Sequence, residues 1–343
     1  MKMDFSVAWG RELASYEIAD HAIAAEQAGF DMLGIIDTQN LARDPYPAMT
    51  IAALNTNRVC IGPSVTNTFT RHPSVTANAM ATIDEISGGR AWIGLGSGFS
   101  AARTMDVGVR PMALLENVIN FIHAYTSGRE AEFNEARMHN EWISRRLPVY
   151  VHAAGPKTCD IAGRLGDGVL LCSKGSPIVA RWCLDLVHRA AESVGRDPND
   201  LDIRVCLPIY VEEEGGRGWD EMAASIATMC TGFYLSIFRH DSNPAVRSLI
   251  SQLDADLLQD LKRVHDAYDY YQHERVDADH AKLVTRQLVD FVGLYGPADQ
   301  ICERIYQLQQ AGVKALDCHM WTFIDKKRQM RLIGEKIMPY FRN

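Results

Sequence analysis

Asp4-Phe5-Ser6-Val7-Ala8-Trp9-Gly10-Arg11-Glu12 decides between two architectures. Residues 4–8 form a short apolar run, as a buried first strand would. A doubly wound open sheet would carry a glycine fingerprint in the turn that follows. Trp9-Gly10-Arg11-Glu12 carries none. Outward from this point the chain alternates strand and helix. Apolar strand patterns recur at 30–36, 59–65, 91–95, 148–152, 168–172, 203–211 and 313–319. Helical patterns fall at 16–28, 47–54, 74–86, 111–126, 157–165, 177–194, 300–311 and 325–341. Gly29, Gly88-Gly89 and Gly312 stop three of these helices, and Pro111 opens another. Eight strands, each followed by a helix, predict an α/β fold, a (β/α)8 TIM barrel, over a single domain spanning 1–343.

Two stretches break the rhythm. Residues 128–143 are polar and irregular. Residues 212–299, after strand seven, form a helical insertion with patterns at 220–238, 245–262 and 282–292. Long barrel insertions fall at the catalytic face or at subunit contacts, so a lid or wall and a dimer contact both stay open. Phe233, Tyr234, Phe238, Tyr268, Tyr270 and Tyr271 lie within it, as core or as the lining of an apolar pocket.

Composition excludes several classes. The 343 residues are 47% hydrophobic and 23% charged, with a net charge of −8. No basic patch suited to nucleic acid is visible; Lys326-Lys327-Arg328 reads as the solvated face of the last helix. No leader-like segment precedes Asp4, and no uncharged apolar stretch of membrane-spanning length is visible. The eight cysteines, at 60, 159, 172, 183, 206, 230, 302 and 318, form no CxxC pair. They read as buried thiols of a reducing compartment, so the expectation is a cytoplasmic protein without disulfides or a metal site.

In a barrel the chemistry gathers where strands end. Four junctions stand out. Gly94-Leu95-Gly96-Ser97-Gly98-Phe99-Ser100 has alternating glycines that admit a ligand to the backbone, or make a plain turn. Ala153-Ala154-Gly155-Pro156-Lys157-Thr158 opens a helix, where N–H groups and Lys157 attract a phosphate, unless Lys157 merely faces solvent. The run from Gly62 to Pro73 includes Ser64, Val65, Thr66 and Asn67, whose polar groups suit a flat polar ring or a chain of turn residues. In the same run, His72 beside Pro73 reads as structural. Asp37 follows an apolar strand and sits at the mouth as an acceptor or a loop cap. His152 and His319 end strands five and eight and, with Asp37, are the candidate acid–base residues; His139 is a third histidine without metal-ligand spacing. No GxSxG, HExxH or GxxxxGK[ST] motif occurs.

At these loops the chain resembles the luciferase-like superfamily. That group includes bacterial luciferase, alkanesulfonate monooxygenase, and the F420-dependent methylenetetrahydromethanopterin reductases and glucose-6-phosphate dehydrogenases. Ala25-Glu26-Gln27-Ala28-Gly29-Phe30-Asp31, Thr70-Arg71-His72-Pro73, Asp84-Glu85-Ile86-Ser87-Gly88-Gly89-Arg90 and Gly94 to Gly98 carry the resemblance. Ala153 to Lys157, Ala162 to Gly168, Gly296 to Asp299 and Ala311-Gly312-Val313 continue it. Their order and spacing are most similar to the methylenetetrahydromethanopterin-reductase-like branch.

The resemblance implies an oxidoreductase, usually a homodimer, with a flavin or F420 at the barrel mouth. It implies a non-proline cis peptide at Ser64–Val65 behind the ring, with Thr66 and Asn67 beside it. It assigns Gly96, Ser97 and Gly98 to the ribityl chain or phosphate, and Ala154, Gly155, Pro156 and Lys157 to the phosphate turn. Two departures weigh against F420. Thr38 follows Asp37 where some F420 relatives have His, and Phe99 stands where the sugar-phosphate dehydrogenases have Glu. The expectation is therefore an FMN-dependent monooxygenase that uses reduced FMN, O2 and a small-molecule substrate, with a flavin reductase as partner. An F420-dependent reductase or dehydrogenase and a non-catalytic flavin-binding homologue are the alternatives.

Overall fold

The computed structural model describes residues 2–10, 13–108, 110–172, 174–213, 218–238 and 240–342, and only the backbone of Phe99. Arg11 and Glu12, read above as the end of the first turn, lie outside the described residues.

The strands close into a parallel barrel. Strand one (Asp4–Trp9) lies between strand two (Met32–Ile35) and strand eight (Ala315–Met320), with Ser6 opposite Met32 and Asp4 opposite Ala315. From strand eight the wall runs through strand seven (Asp202–Leu207), six (Gly168–Cys172), five (Val149–Ala153) and four (Ile93–Gly96). Strand three is split. Cys60–Pro63 pairs with strand two, and Thr66–Asn67 pairs with strand four. A bridge between Ile61 and Ala91 completes the closure. The break at Ser64–Val65 lets one strand serve both neighbours while turning its end towards the mouth.

The barrel interior holds Met32, Trp92, Leu170 and Cys206, packed on Val65 and Tyr150. At the N-terminal ends of the strands an ion pair between buried Arg204 and half-buried Asp202 shuts the barrel. The Tyr150 hydroxyl and the Arg204 guanidinium both donate to Asp202 Oδ2 at 2.8 Å. Apolar faces of the surrounding helices form the larger outer core.

Departures from the sequence expectation have local causes. Strand seven does not run unbroken over 203–211, because Pro208 has no N–H for the ladder. Its continuation, Ile209–Val211, pairs instead with Leu294–Gly296 in a separate two-stranded sheet, so the helical insertion ends before residue 299. The irregular stretch 128–143 contains a hairpin, Ala131–Phe133 with Ala136–Met138, turned through positive φ at Asn134 and Glu135. Within the insertion, the expected helix 245–262 is two helices, Pro244–Ile250 and Ala255–Asp266. The helix Gly218–Phe238 is long and apolar enough to cross a membrane, yet 72% of its most apolar window is buried inside this fold. It is a core helix here.

Arg90 locks one corner of the barrel. Its guanidinium donates to the carbonyls of Ala53, Thr56, Val59 and Ser87 and to the Thr56 hydroxyl. It thus holds the end of the helix Pro45–Asn55 against the entry to strand three. Lysine keeps the charge but cannot fork. Arg90→Lys is expected to cost about 2–3 kcal/mol, read as a lower urea midpoint with an unchanged m-value.

Candidate functional site

The C-terminal ends of the strands open into a cleft of about 490 Å³. Ser64 after strand three, Gly96 ending strand four and Lys157 after strand five line this one cleft. So do Asp37, Val65, Ser97, Gly98, His152, Ala154, Gly155 and His319. Thr66, Asn67 and Pro156 do not.

The Ser64–Val65 peptide is cis. Thr66 and Asn67, expected beside the ring, support the mouth from behind instead. The Thr66 hydroxyl donates to Asp37 Oδ2 at 2.6 Å. Asn67 Oδ1 accepts the backbone N–H groups of Phe69 and Thr70 at 3.1 and 2.9 Å, an Asx turn that rounds the loop. Pro156 begins the helix Pro156–Leu165, where its missing N–H is not needed.

The glycines of the strand-four loop divide in role. A Cβ on Gly94 would lie 2.1 Å from the Pro63 carbonyl oxygen, and one on Gly98, at φ +73°, 2.6 Å from Asn67 Cβ. The protein itself therefore demands these two. At Gly96 the nearest atom to an added Cβ is a Val65 methyl at 3.0 Å, and it is this glycine that leaves strand four flat at the cleft.

Asp37 is buried, with both carboxylate oxygens engaged. Gln39 Nε2 donates to Oδ1 at 2.6 Å while Thr66 holds Oδ2. Burial pushes its carboxyl above the usual range, and the two hydrogen bonds offset this only in part. An acceptor role toward a ligand is therefore confined to the remaining lone pairs.

His152 faces the cleft from strand five. Burial lowers its pKa to about 4, helped by the positive charge of Lys174. It is a neutral imidazole near pH 7, hence a hydrogen-bonding group and not a resident cation. Lys174 itself is fully buried, with Nζ donating to the Ala154 carbonyl at 3.1 Å and lying 5.2 Å from the Phe233 ring centre. It fixes the turn that presents Ala154 and Gly155. Nothing in its sequence neighbourhood signals that role.

His319 is the most constrained of the candidates. Its Nε2 lies 3.0 Å from Asp317 Oδ2, its ring stacks on Trp321 at 4.1 Å, and its buried Nδ1 has no partner among the described residues. Asp317 Oδ1 accepts from the Ser6 hydroxyl at 2.7 Å. Burial alone would raise the Asp317 carboxyl, but the His319 hydrogen bond and nearby positive charge pull it below its usual range. With Nε2 donating to Asp317, a neutral His319 offers Nδ1 as an acceptor. Cys206, Asp317 and His319 bring potential ligand atoms within 4.8 Å of one another. Burial raises the Cys206 thiol well above its ordinary range, so Cys206 stands as a thiol beside the Asp317 carboxylate.

The strand-five turn keeps part of its anion-binding character. Thr158 Oγ1 accepts from the N–H groups of Ala154 and Gly155 at 3.1 and 3.3 Å, so two expected donors are already engaged. The first intrahelical bond runs from Cys159 N–H to Gly155 O, leaving the N–H groups of Lys157 and Thr158 at the helix start. The Lys157 side chain is exposed at the rim and makes no ion pair among the described residues.

The insertion forms the opposite wall. Thr228, Leu235, Tyr268, Tyr270, His273 and Glu274 reach the cleft from it. Of the six aromatic residues noted earlier, Tyr268 and Tyr270 line the cleft. Phe233 is core, Tyr234 stacks between Phe238 and His265, and Tyr271 is 84% exposed. His139 is exposed, and His72 caps the helix Pro73–Ser87. Sequence patterning missed His273 and Glu274, because nothing periodic marks them.

Comparison with known proteins now bears on this site. The family described as luciferase-like monooxygenase matches residues 8–315. The chain belongs to that family. Among its members, 5,10-methylenetetrahydromethanopterin reductase of Archaeoglobus fulgidus is 28% identical over 98% of this chain and 99% of its own. F420-dependent glucose-6-phosphate dehydrogenase of Beutenbergia cavernae is 29% identical over 62% of this chain and 71% of its own. Among solved structures, the coenzyme F420-dependent tetrahydromethanopterin reductase of Methanopyrus kandleri superposes with a TM-score of 0.77, at 22% identity, over 99% of this chain and 100% of that one. That structure and this one share the barrel fold.

The depressed pKa of His152 has a thermodynamic consequence. Its folded value, about 4, lies below the ordinary 6.5, so its contribution to stability is complete above pH 6.5 and is lost as the pH falls towards 4. His152→Gln removes that proton linkage. Over this interval the wild type is expected to lose up to about 3 kcal/mol relative to the variant, measured by urea unfolding at pH 6.5, 5.5 and 4.5.

Proposed function

We propose that this luciferase-like protein is an F420-dependent reductase or dehydrogenase, with its small organic substrate held between the barrel mouth and the insertion. The observation that carries the proposal is the convergence of the Ser64–Val65 bulge, the Gly96–Gly98 loop and the Ala154–Lys157 turn on one cleft. The choice of F420 over FMN is supported by end-to-end similarity to methylenetetrahydromethanopterin reductases and by two relatives whose names carry F420 dependence. These similarities weigh against the preference for FMN drawn from Thr38 and Phe99. A flavin reductase partner belongs to the monooxygenase alternative and has no place in this proposal.

The residues present fit a flat ring with an anionic tail. Lys157 is a rim cation without an ion pair among the described residues, and the buried Nδ1 of His319 has no partner. Bound F420 would supply a hydride donor or acceptor carbon at the cleft. Lys157 and the adjoining helix start bind the anionic tail. Val65 and Gly96 give the ring an apolar, flat backing. His319, oriented by Asp317, holds or accepts a proton at Nδ1. The helix Gly218–Phe238 and the tyrosines of the insertion exclude water from the reacting atoms.

Fluorescence titration with F420 and with FMN tests the assignment. F420 is expected to bind in the micromolar range and more tightly than FMN. Lys157→Ala is expected to weaken F420 about tenfold while Lys157→Arg retains most of the affinity, as loss of one charge-assisted contact would do. Binding of neither cofactor below the millimolar range would overturn the proposal.

A further inference from the structure

Glu274 is the least explained buried charge in the cleft. It is 1% exposed and lines the pocket from the insertion. Neither carboxylate oxygen receives a hydrogen bond of good geometry among the described residues. The approach nearest to one is His273 Nε2, 3.2 Å from Oε1. A carboxylate offers about four lone-pair sites, and leaving them dry and unfilled is costly. Buried groups of this kind ask for a functional explanation.

The backbone puts the charge there. Glu274 has φ +60°, a left-handed conformation that a glutamate rarely adopts. The turn that holds it follows the short helical segment Tyr270–Gln272 and is closed by Arg275 N–H donating to the Gln272 carbonyl at 3.1 Å. Chain neighbours face outward: Tyr271 is 84% exposed, and the Asp277 side chain 70%. Glu274 alone of this turn's acids is swung inward. Its companion is held rigidly, too. The Tyr268 hydroxyl lies 2.5 Å from His273 Nδ1 and 2.8 Å from the Thr228 hydroxyl on the helix Gly218–Phe238. With Tyr268 donating to Nδ1, the hydrogen of a neutral His273 sits on Nε2, towards Glu274. Among the described residues, His273 Nε2 is the donor nitrogen that approaches this carboxylate.

The cleft beside Glu274 has room for a ligand that supplies further donors, and that ligand is not the tail of the cofactor. Flavin and deazaflavin cofactors carry phosphate, which a buried carboxylate repels. Resting on the proposed function, we propose that Glu274 is the substrate-recognition carboxylate of this cleft, and that the substrate presents a cationic nitrogen, an ammonium or amidinium group, to it. Tyr268 and Tyr270 line the same cleft, and the Tyr270 ring already receives one cation, the Arg103 guanidinium, 4.2 Å from its centre.

Benzamidine, benzamide and benzoate, of like shape and different charge, probe the site. Calorimetric titration uses the protein with and without saturating F420, in the wild type, Glu274→Gln and Glu274→Asp. Wild type is expected to bind benzamidine at least about tenfold more tightly than benzamide and to reject benzoate. Glu274→Gln is expected to erase that preference while matching or exceeding the wild-type melting temperature, since it removes an unsatisfied buried charge. Glu274→Asp is expected to keep part of the preference. Equal binding of benzamidine and benzamide by the wild type, or an unchanged preference in Glu274→Gln, would overturn the proposal. Failure of F420 to bind, with the benzamidine preference intact, would remove the deazaflavin assignment and leave the role of Glu274 standing.

Discussion

Space for the strand-three bulge is the constraint on which the mouth of this barrel depends. The chain at Pro63, Ser64 and Val65 turns away from the regular ladder between strands two and four, and both neighbours must give way. They do so by lacking side chains. A Cβ on Gly34 of strand two would lie 2.4 Å from Ser64 Cβ, and one on Gly94 of strand four 2.1 Å from the Pro63 carbonyl oxygen. Because the bulge fits, Thr66 reaches back to Asp37 and Val65 turns to the cleft. An alanine at either glycine would push the bulge, and with it the floor of the site, out of place.

Around that floor the site is organised by second contacts more than by the groups themselves. Lys174 holds the Ala154 carbonyl, Asp317 orients His319, and Tyr268 with Thr228 pins His273. The electrostatic result is a cleft of mixed character: a cation at the rim in Lys157, neutral histidine at His152, and a desolvated carboxylate on the insertion side at Glu274. A ligand with an anionic end and a separate substrate with a cationic end would meet complementary surfaces there.

The architecture was legible in the alternation of apolar strands and helices, because a parallel strand buried on both faces leaves a continuous apolar run. The helix stops at glycine and starts at proline were legible for the same local reason: backbone conformation there is set by one residue. The loops of strands three, four and five were legible as a site from their composition. Their individual roles were not. Thr66, Asn67, Gly94 and Gly98 look like ligand-facing residues in sequence, yet each answers to another part of the protein. The hairpin around Asn134 and the break at Pro208 were missed because short strands carry too little periodicity to be seen.

The sequence by itself determined the closed α/β barrel, its insertion after strand seven and the loops that make the mouth, since these follow from local apolar pattern and backbone preference. Only the tertiary structure decided which residues of those loops face the cleft, that His319 lacks a partner for its buried Nδ1 among the described residues, and that Glu274 is turned inward while Arg275, Val276 and Asp277 stay exposed. Burial, hydrogen-bond partners and charge environment are set by atoms brought together from distant segments, and no stretch of sequence read alone contains those distances.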